Sequence, residues 1–168
     1  MSLEVNVNIV KGWPSPTIVE KSMAAASGSL AQGDIVKPTA SGWALIDGGT
    51  KTVANFATPF IIMVDSTDPS TNRGAFTADY KQVGYGAIHG IGLNNALEIE
   101  TTNFANDGDL SGEYAAGVEL TVGTSGAVGE LKAASSSDVV IGKVSRAPYS
   151  LGTKTYVTFI PCDPYVKA

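Results

Sequence analysis

Apolar and polar residues alternate strictly over 2–9. Leu3, Val5, Val7 and Ile9 fall on one face, and Ser2, Glu4, Asn6 and Asn8 on the other. That is the period of a half-buried strand. A strand so close to the start of the chain needs a sheet to lie on, its own or a neighbour's. Gly12-Trp13-Pro14-Ser15-Pro16 follows. Two prolines this close break a sheet and stiffen the connection. Residues 1–16 therefore read as an N-terminal arm with a hinge, ahead of a single β domain over 17–168. The competing reading is an ordinary first strand of that domain.

The clearest pattern lies between Tyr114 and Val144. Val118, Leu120 and Val122 alternate with Glu119 and Thr121, and Thr124-Ser125-Gly126 signals a turn. Val128 and Leu131 start a return strand, Ser135-Ser136-Ser137-Asp138 turns the chain again, and Val139-Val140-Ile141 is an apolar run suited to burial on both faces.

The same order of elements occurs earlier. Leu30 to Val36 is a turn feeding a strand that Pro38 is expected to end, Ser41-Gly42 turns, and Trp43-Ala44-Leu45-Ile46 returns. Ala31, Gly33 and Ser41-Gly42 match Ala115, Gly117 and Ser125-Gly126 at one constant offset, with Val36 on Leu120. Pro59 to Val64 takes the part that Val139 to Val144 takes later. This is a weak internal duplication or a shared hairpin grammar, not a solenoid.

Elsewhere Thr17 to Glu20, Ala75 to Tyr80, Gln82 to Ile88, Leu97 to Thr101 and Lys154 to Ile160 read as strands, the last with Tyr156 or Phe159 in the core. Lys21 to Ser27 is a short helix or an irregular link. Asp65 to Gly74, Asn103 to Gly112 and Ser145 to Thr153 read as polar or turn-rich loops, and Asp163 to Ala168 as a tail. Gly84, Gly86, Gly90 and Gly92 clear one sheet face for close approach of another backbone.

Composition agrees with an all-β chain. Of 168 residues 19 are Gly and 8 are Pro, and only 16% are charged. Short strands and many turns follow, with a surface of Ser, Thr, Asn and Gly, or one covered by partners. The net charge of −5 without a basic patch argues against nucleic acid and against an anionic membrane surface. No signal peptide and no apolar run of membrane-spanning length is visible. Cys162 is the single cysteine, so an intramolecular disulfide and a cysteine-rich zinc site are excluded.

Candidate chemistry is sparse. His89, the single histidine, sits among Ala87, Ile88, Gly90 and Ile91 without a nucleophile motif, and a structural or interface role is expected. Asp107-Gly108-Asp109 with Glu113 is an incomplete calcium loop and reads as a solvated turn, as do Asp65 and Asp68. Glu98 and Glu100 share one face of one strand and read as a wet face, not as a glycosidase pair. Trp13 and Trp43 are sugar-stacking candidates, with core or interface as the simpler role. No catalytic residue, cofactor or metal is expected.

Three strings carry a family resemblance: G-D-I-V-K-P-T-A-S-G-W at 33–43, A-G-V-E-L-T-V-G-T-S-G-A-V at 116–128 and V-V-I-G-K-V at 139–144. They resemble the small all-β decoration, or cement, proteins of tailed-bacteriophage capsids, over about a third of the chain. The resemblance implies a β-barrel or β-tulip-like domain with long loops and little helix. It also implies a homotrimer on the outer face of the major capsid shell, made in the host cytoplasm and strengthening the virion. No catalytic residues are carried over. The arm, through Leu3, Val5, Val7, Ile9 and Trp13, is the expected docking element, adding a strand to a neighbour's sheet. The alternative is a carbohydrate-binding or other β-sandwich module of a phage tail or fibre.

Overall fold

Two turns of the same construction lead into the second strand of two copies of one five-stranded unit. Ala31 to Asp34 is closed by the Asp34 N–H on the Ala31 carbonyl at 3.2 Å, and Ala115 to Val118 by the Val118 N–H on the Ala115 carbonyl at 3.0 Å. Gly33 (φ +98°) and Gly117 (φ +92°) occupy the left-handed position that such turns require. Each turn then grips a later strand in the same way. Gly33 N–H donates to Ile62 O at 2.8 Å and Ile62 N–H to Asp34 O at 2.9 Å. Gly117 N–H donates to Val144 O and Val144 N–H to Val118 O, both at 2.8 Å.

The structure, a computed structural model, describes residues 7–12, 18–22, 30–62, 87–93, 97–106 and 110–168. Its strands are β1 Val7–Gly12, β2 Ile18–Ser22, β3 Ile35–Thr39, β4 Gly42–Leu45, β5 Phe60–Ile62, β6 Ala87–Gly92, β7 Leu97–Thr101, β8 Glu119–Val122, β9 Leu131–Ala133, β10 Val139–Leu151 and β11 Lys154–Val166. A single 3-10 turn, Val53–Phe56, and one short helix, α1 Leu110–Glu113, are the helical elements among the described residues.

One sheet has the order β2-β6-β5-β3-β4 and the other β1-β7-β11-β10-β8-β9, with every strand pairing antiparallel. Without β1, the second order repeats the first: in each unit the first strand lies beside the fifth, then come the fourth, second and third. The repeat legible over 30–64 and 114–144 thus extends through the whole body. The all-β expectation holds, as two antiparallel sheets whose edge strands are β1 and β9, and β2 and β4.

Alternation along the strands sets two cores. Ile35, Ile61, Ile91, Leu97, Ile99, Leu120, Val144, Val157 and Phe159 meet between the sheets, with Val7 and Tyr114. Leu30, Val36, Trp43, Phe60 and Ile62 form a second cluster. Trp43 is fully buried. Its ring stands 5.1 Å from that of Phe60 and crosses to Gly90 of β6, where a Cβ would lie 2.8 Å from the indole. The bare position therefore admits an aromatic ring, where the glycine spacing predicted a close-packed backbone. Gly84 and Gly86 lie outside the described residues. β2 and β4 approach within 8 Å, so this sheet curls.

The units are joined by backbone hydrogen bonds at their hairpins. Ile35 N–H donates to Gly129 O (2.8 Å), Gly129 N–H to Ile46 O (3.2 Å) and Gly48 N–H to Gly123 O (3.0 Å). Asp34, although buried, is satisfied: its carboxylate accepts from the Ala31 N–H at 2.7 Å and from the Asn103 amide at 3.0 Å. The second of these bonds ties the first unit's turn before β3 to the residue just past β7.

Several boundaries differ from the sequence reading. Pro38 does not end β3; it pairs in register with Trp43. Ser145 to Thr153 is no loose connection, because β10 runs through to Leu151 and the chain reverses at Gly152 (φ +63°). Register shifts after Val144 and Arg146 absorb the irregular Arg-Ala-Pro stretch. Asp163 to Val166 is not a tail either: Tyr165 and Val166 pair with Val140 and Val139. Within 103–112, Phe104 bridges to Leu131 and packs edge-on against Tyr114, whose hydroxyl donates to the Ala105 carbonyl.

Candidate docking face

Register defines the site. In the first unit Ile91, Ile61 and Ile35 stand side by side across β6, β5 and β3, all buried between the sheets. The equivalent row in the second unit is Ile160, Lys143 and Glu119 across β11, β10 and β8, and it faces outward. Ile160 is 42% exposed there, and the Lys143 side chain 53%. The face that one unit buries against its sister is thus presented to solvent by the other, with charges replacing two of the three isoleucine positions.

Two polar clusters organise this face. At one end Glu119 is the hub. It accepts from the Tyr165 hydroxyl at 2.5 Å and pairs with Lys143 at 3.3 Å and Lys167 at 3.5 Å. The Tyr165 hydrogen bond holds the Glu119 carboxyl below its ordinary value; burial, the next largest influence, opposes it, and Lys143 and then Lys167 add to the lowering. The same contact raises Tyr165 and Lys143. Lys167 also donates to the Ala134 carbonyl, fastening the end of β11. Nearby, burial pushes Asp138 up. The Lys51 ion pair at 2.7 Å and the Ser135 N–H together outweigh it, so Asp138 also sits below its ordinary value.

These shifts predict acid sensitivity. A carboxylate with a lowered folded value stabilises the protein above its unfolded value and loses that contribution as pH falls through the folded one. From ordinary values of 4.5 and 3.8, the loss begins below about pH 4.5. Glu119→Gln is expected to flatten the acid limb of a melting-temperature profile and to lower the melting temperature at neutral pH by about what that limb loses in the wild type. An unchanged acid limb would remove Glu119 from this role.

At the other end, the Arg146 guanidinium lies 4.3 Å over the Tyr149 ring, and Tyr149 stacks on Tyr156 at 5.5 Å. Glu100 accepts from the Tyr149 hydroxyl at 2.5 Å and pairs with Arg146 at 3.6 Å, and Glu98 accepts from Ser145 Oγ at 2.8 Å. The Glu100 contact raises Tyr149, with burial adding to it. Glu100 is only 9% exposed. The wet face expected of Glu98 and Glu100 is therefore covered at Glu100 by side chains of the β10–β11 hairpin.

Of the arm residues, Val7 is buried in the inter-sheet core and Ile9 lies in β1, in register with Ile99 of β7. Leu3, Val5 and Trp13 lie outside the described residues. So do Asp65, Asp68, Asp107 and Asp109; Glu113 ends α1. His89 lies in β6 in register with Glu20 of β2. Trp43 is core and presents no sugar platform. Cys162 is half-buried, and burial raises its thiol. Among the described residues no group of three or more His, Cys, Asp or Glu side chains is placed to hold a metal ion, and no helix is long and apolar enough to cross a membrane.

Sequence reasoning missed Arg146, Tyr149 and Tyr165. The missed signal was the hairpin: Tyr149 and Tyr156 stand symmetrically about Gly152-Thr153, so a strand continued through Leu151 would have paired them.

The molecule is thus a two-sheet all-β protein built from a repeated five-stranded unit, with one outward sheet face rich in Tyr, Arg and paired charges. No protein-family model matches the chain, and no curated protein and no solved structure matches it.

Proposed function

We propose that this chain is a structural assembly protein, not an enzyme, and that it binds the outer surface of a tailed-phage capsid shell and stabilises it. The observation that carries the assembly part of the reading is the outward sheet face, while contact with the shell is assigned to the arm. Arg146, Tyr149, Tyr165 and a half-exposed Ile160 have the composition of a protein contact, where aromatic residues and Arg dominate the energetics. The strings resembling decoration proteins support it further, because 33–43 and 116–128 are the equivalent turn-and-strand segments of the two units. The proposed partners are the major capsid protein and further copies of the chain, a trimer in the resembling family.

The arm takes a narrower part in this proposal. Val7 belongs to the chain's own core, so deleting residues 1–16 would remove β1 and unsettle the body. Leu3, Val5 and Trp13 remain as the docking residues. The test is co-sedimentation of the full chain with purified capsid shells. Saturable binding and a raised shell melting temperature are expected, with Leu3→Asp/Val5→Asp weakening binding about tenfold at an unchanged melting temperature of the free protein. No co-sedimentation at tens of micromolar would sink the shell-binding reading, and full binding by the double variant would sink the arm's part in it.

A further inference from the structure

The outward face carries its charges in columns. Acids stand on β7 (Glu98, Glu100), bases on β10 (Lys143, Arg146), and β11 runs between them with Ile160 and Thr158. Register sets Thr158 beside Glu100, and Ile160 beside Lys143 and one step beyond the Phe159–Ile99 pair, at the level of Glu98. Across the sheet one row therefore reads Glu98, Ile160, Lys143, and the next Glu100, Thr158, Arg146.

We propose that this face binds a second copy of the chain about a two-fold axis running along β11. Such an axis exchanges left and right across β11 when two sheets pack face to face. It sets Glu98 opposite Lys143 of the second copy, and Lys143 opposite Glu98, in the same row. The next row takes no part in the contact, because Glu100 and Thr158 are buried beneath Tyr149 and Arg146 of their own chain. Ile160 meets its own symmetry mate on the axis, so the exposed apolar side chain forms the centre and the charges the rim. A two-fold contact must be self-complementary, and an acid and a base flanking an exposed apolar residue in one row, Glu98, Ile160 and Lys143, satisfy that condition. Sheets packed in this way lie nearly aligned. Lys143 is already partly neutralised within each chain by Glu119 of β8. The charges therefore fix register, and Ile160 with the adjoining aromatic rings supplies the apolar contact.

This inference does not depend on shell binding and is tested on the chain alone. Sedimentation equilibrium at low salt is expected to show a dimer weakened by added salt. Ile160→Asp places two like charges on the axis and should give a monomer with an unchanged melting temperature, since the side chain is already half exposed. Glu98→Lys should weaken association about tenfold, and Glu98→Lys combined with Lys143→Glu should restore it. A wild-type monomer at about 100 µM would overturn the proposal. So would a trimer or any other assembly indifferent to Ile160→Asp, or a double variant no better associated than Glu98→Lys alone.

Discussion

Gly48→Ala is expected to disrupt the native fold. A Cβ at this position would stand 1.9 Å from the Val122 carbonyl oxygen and 2.9 Å from its carbon, with the Gly123 oxygen at 3.0 Å. These are backbone atoms, and no rotamer change moves them. Relief requires the segment after β4 to withdraw from the end of β8. That motion breaks the Gly48–Gly123 hydrogen bond and strains the neighbouring pair through Gly129. The cost is about 3 kcal/mol or more. Against a total of roughly 5–15 kcal/mol for a domain, that is a large fraction. Urea unfolding checks it, and a loss below about 1 kcal/mol would show that the seam between the units yields easily.

Trp43→Ala carries the second large effect, a loss of about 3–5 kcal/mol. The indole is wholly buried and bridges three strands, from β4 over Phe60 on β5 to Gly90 on β6. Removing it leaves a void that Gly90, having no side chain, cannot fill, and that Val36 and Ile62 reach only by moving their strands. The loss should appear as a lower denaturation midpoint with little change in secondary structure at low denaturant. A loss under about 1 kcal/mol would mean that the second cluster collapses onto the vacancy.

Both sites explain why a low-charge sequence rich in glycine specifies one structure. Gly48 allows two backbones to meet, and Gly90 allows a ring to cross a strand. The cost of each glycine in chain entropy is offset by a contact that no other residue permits. Stability also depends on polar groups that are buried but satisfied. Asp34 is the clearest, since it closes its own turn and receives Asn103 from the other unit.

Strand content was legible wherever local chemistry decided it. The strand at Glu119–Val122, the Ser135–Asp138 turn and the buried run at Val139–Ile141 follow from alternation and turn residues, which act over a few positions. The matching glycines at 33 and 117 likewise revealed the repeat, because a positive φ leaves a residue-specific mark. Local rules misjudged Pro38 as a breaker, Ser145 to Thr153 as a loose connection and Asp163 to Ala168 as a tail. Register shifts and sheet-edge geometry accommodate them, and these depend on the partner strand.

The sequence by itself determined that this is an all-β chain, that two of its segments share one turn-and-hairpin pattern, and that it has one cysteine, one histidine and no nucleophile motif. Only the tertiary structure decided that the repeat is complete in topology and that β1 joins the second unit with Val7 in the core. It alone decided that equivalent faces of the two units meet opposite fates. Ile35, Ile61 and Ile91 are hidden, while Glu119, Lys143 and Ile160 face outward. Alternation tells which residues share a face. Whether that face meets solvent or a sister sheet depends on how distant strands stack, a contact no local pattern encodes.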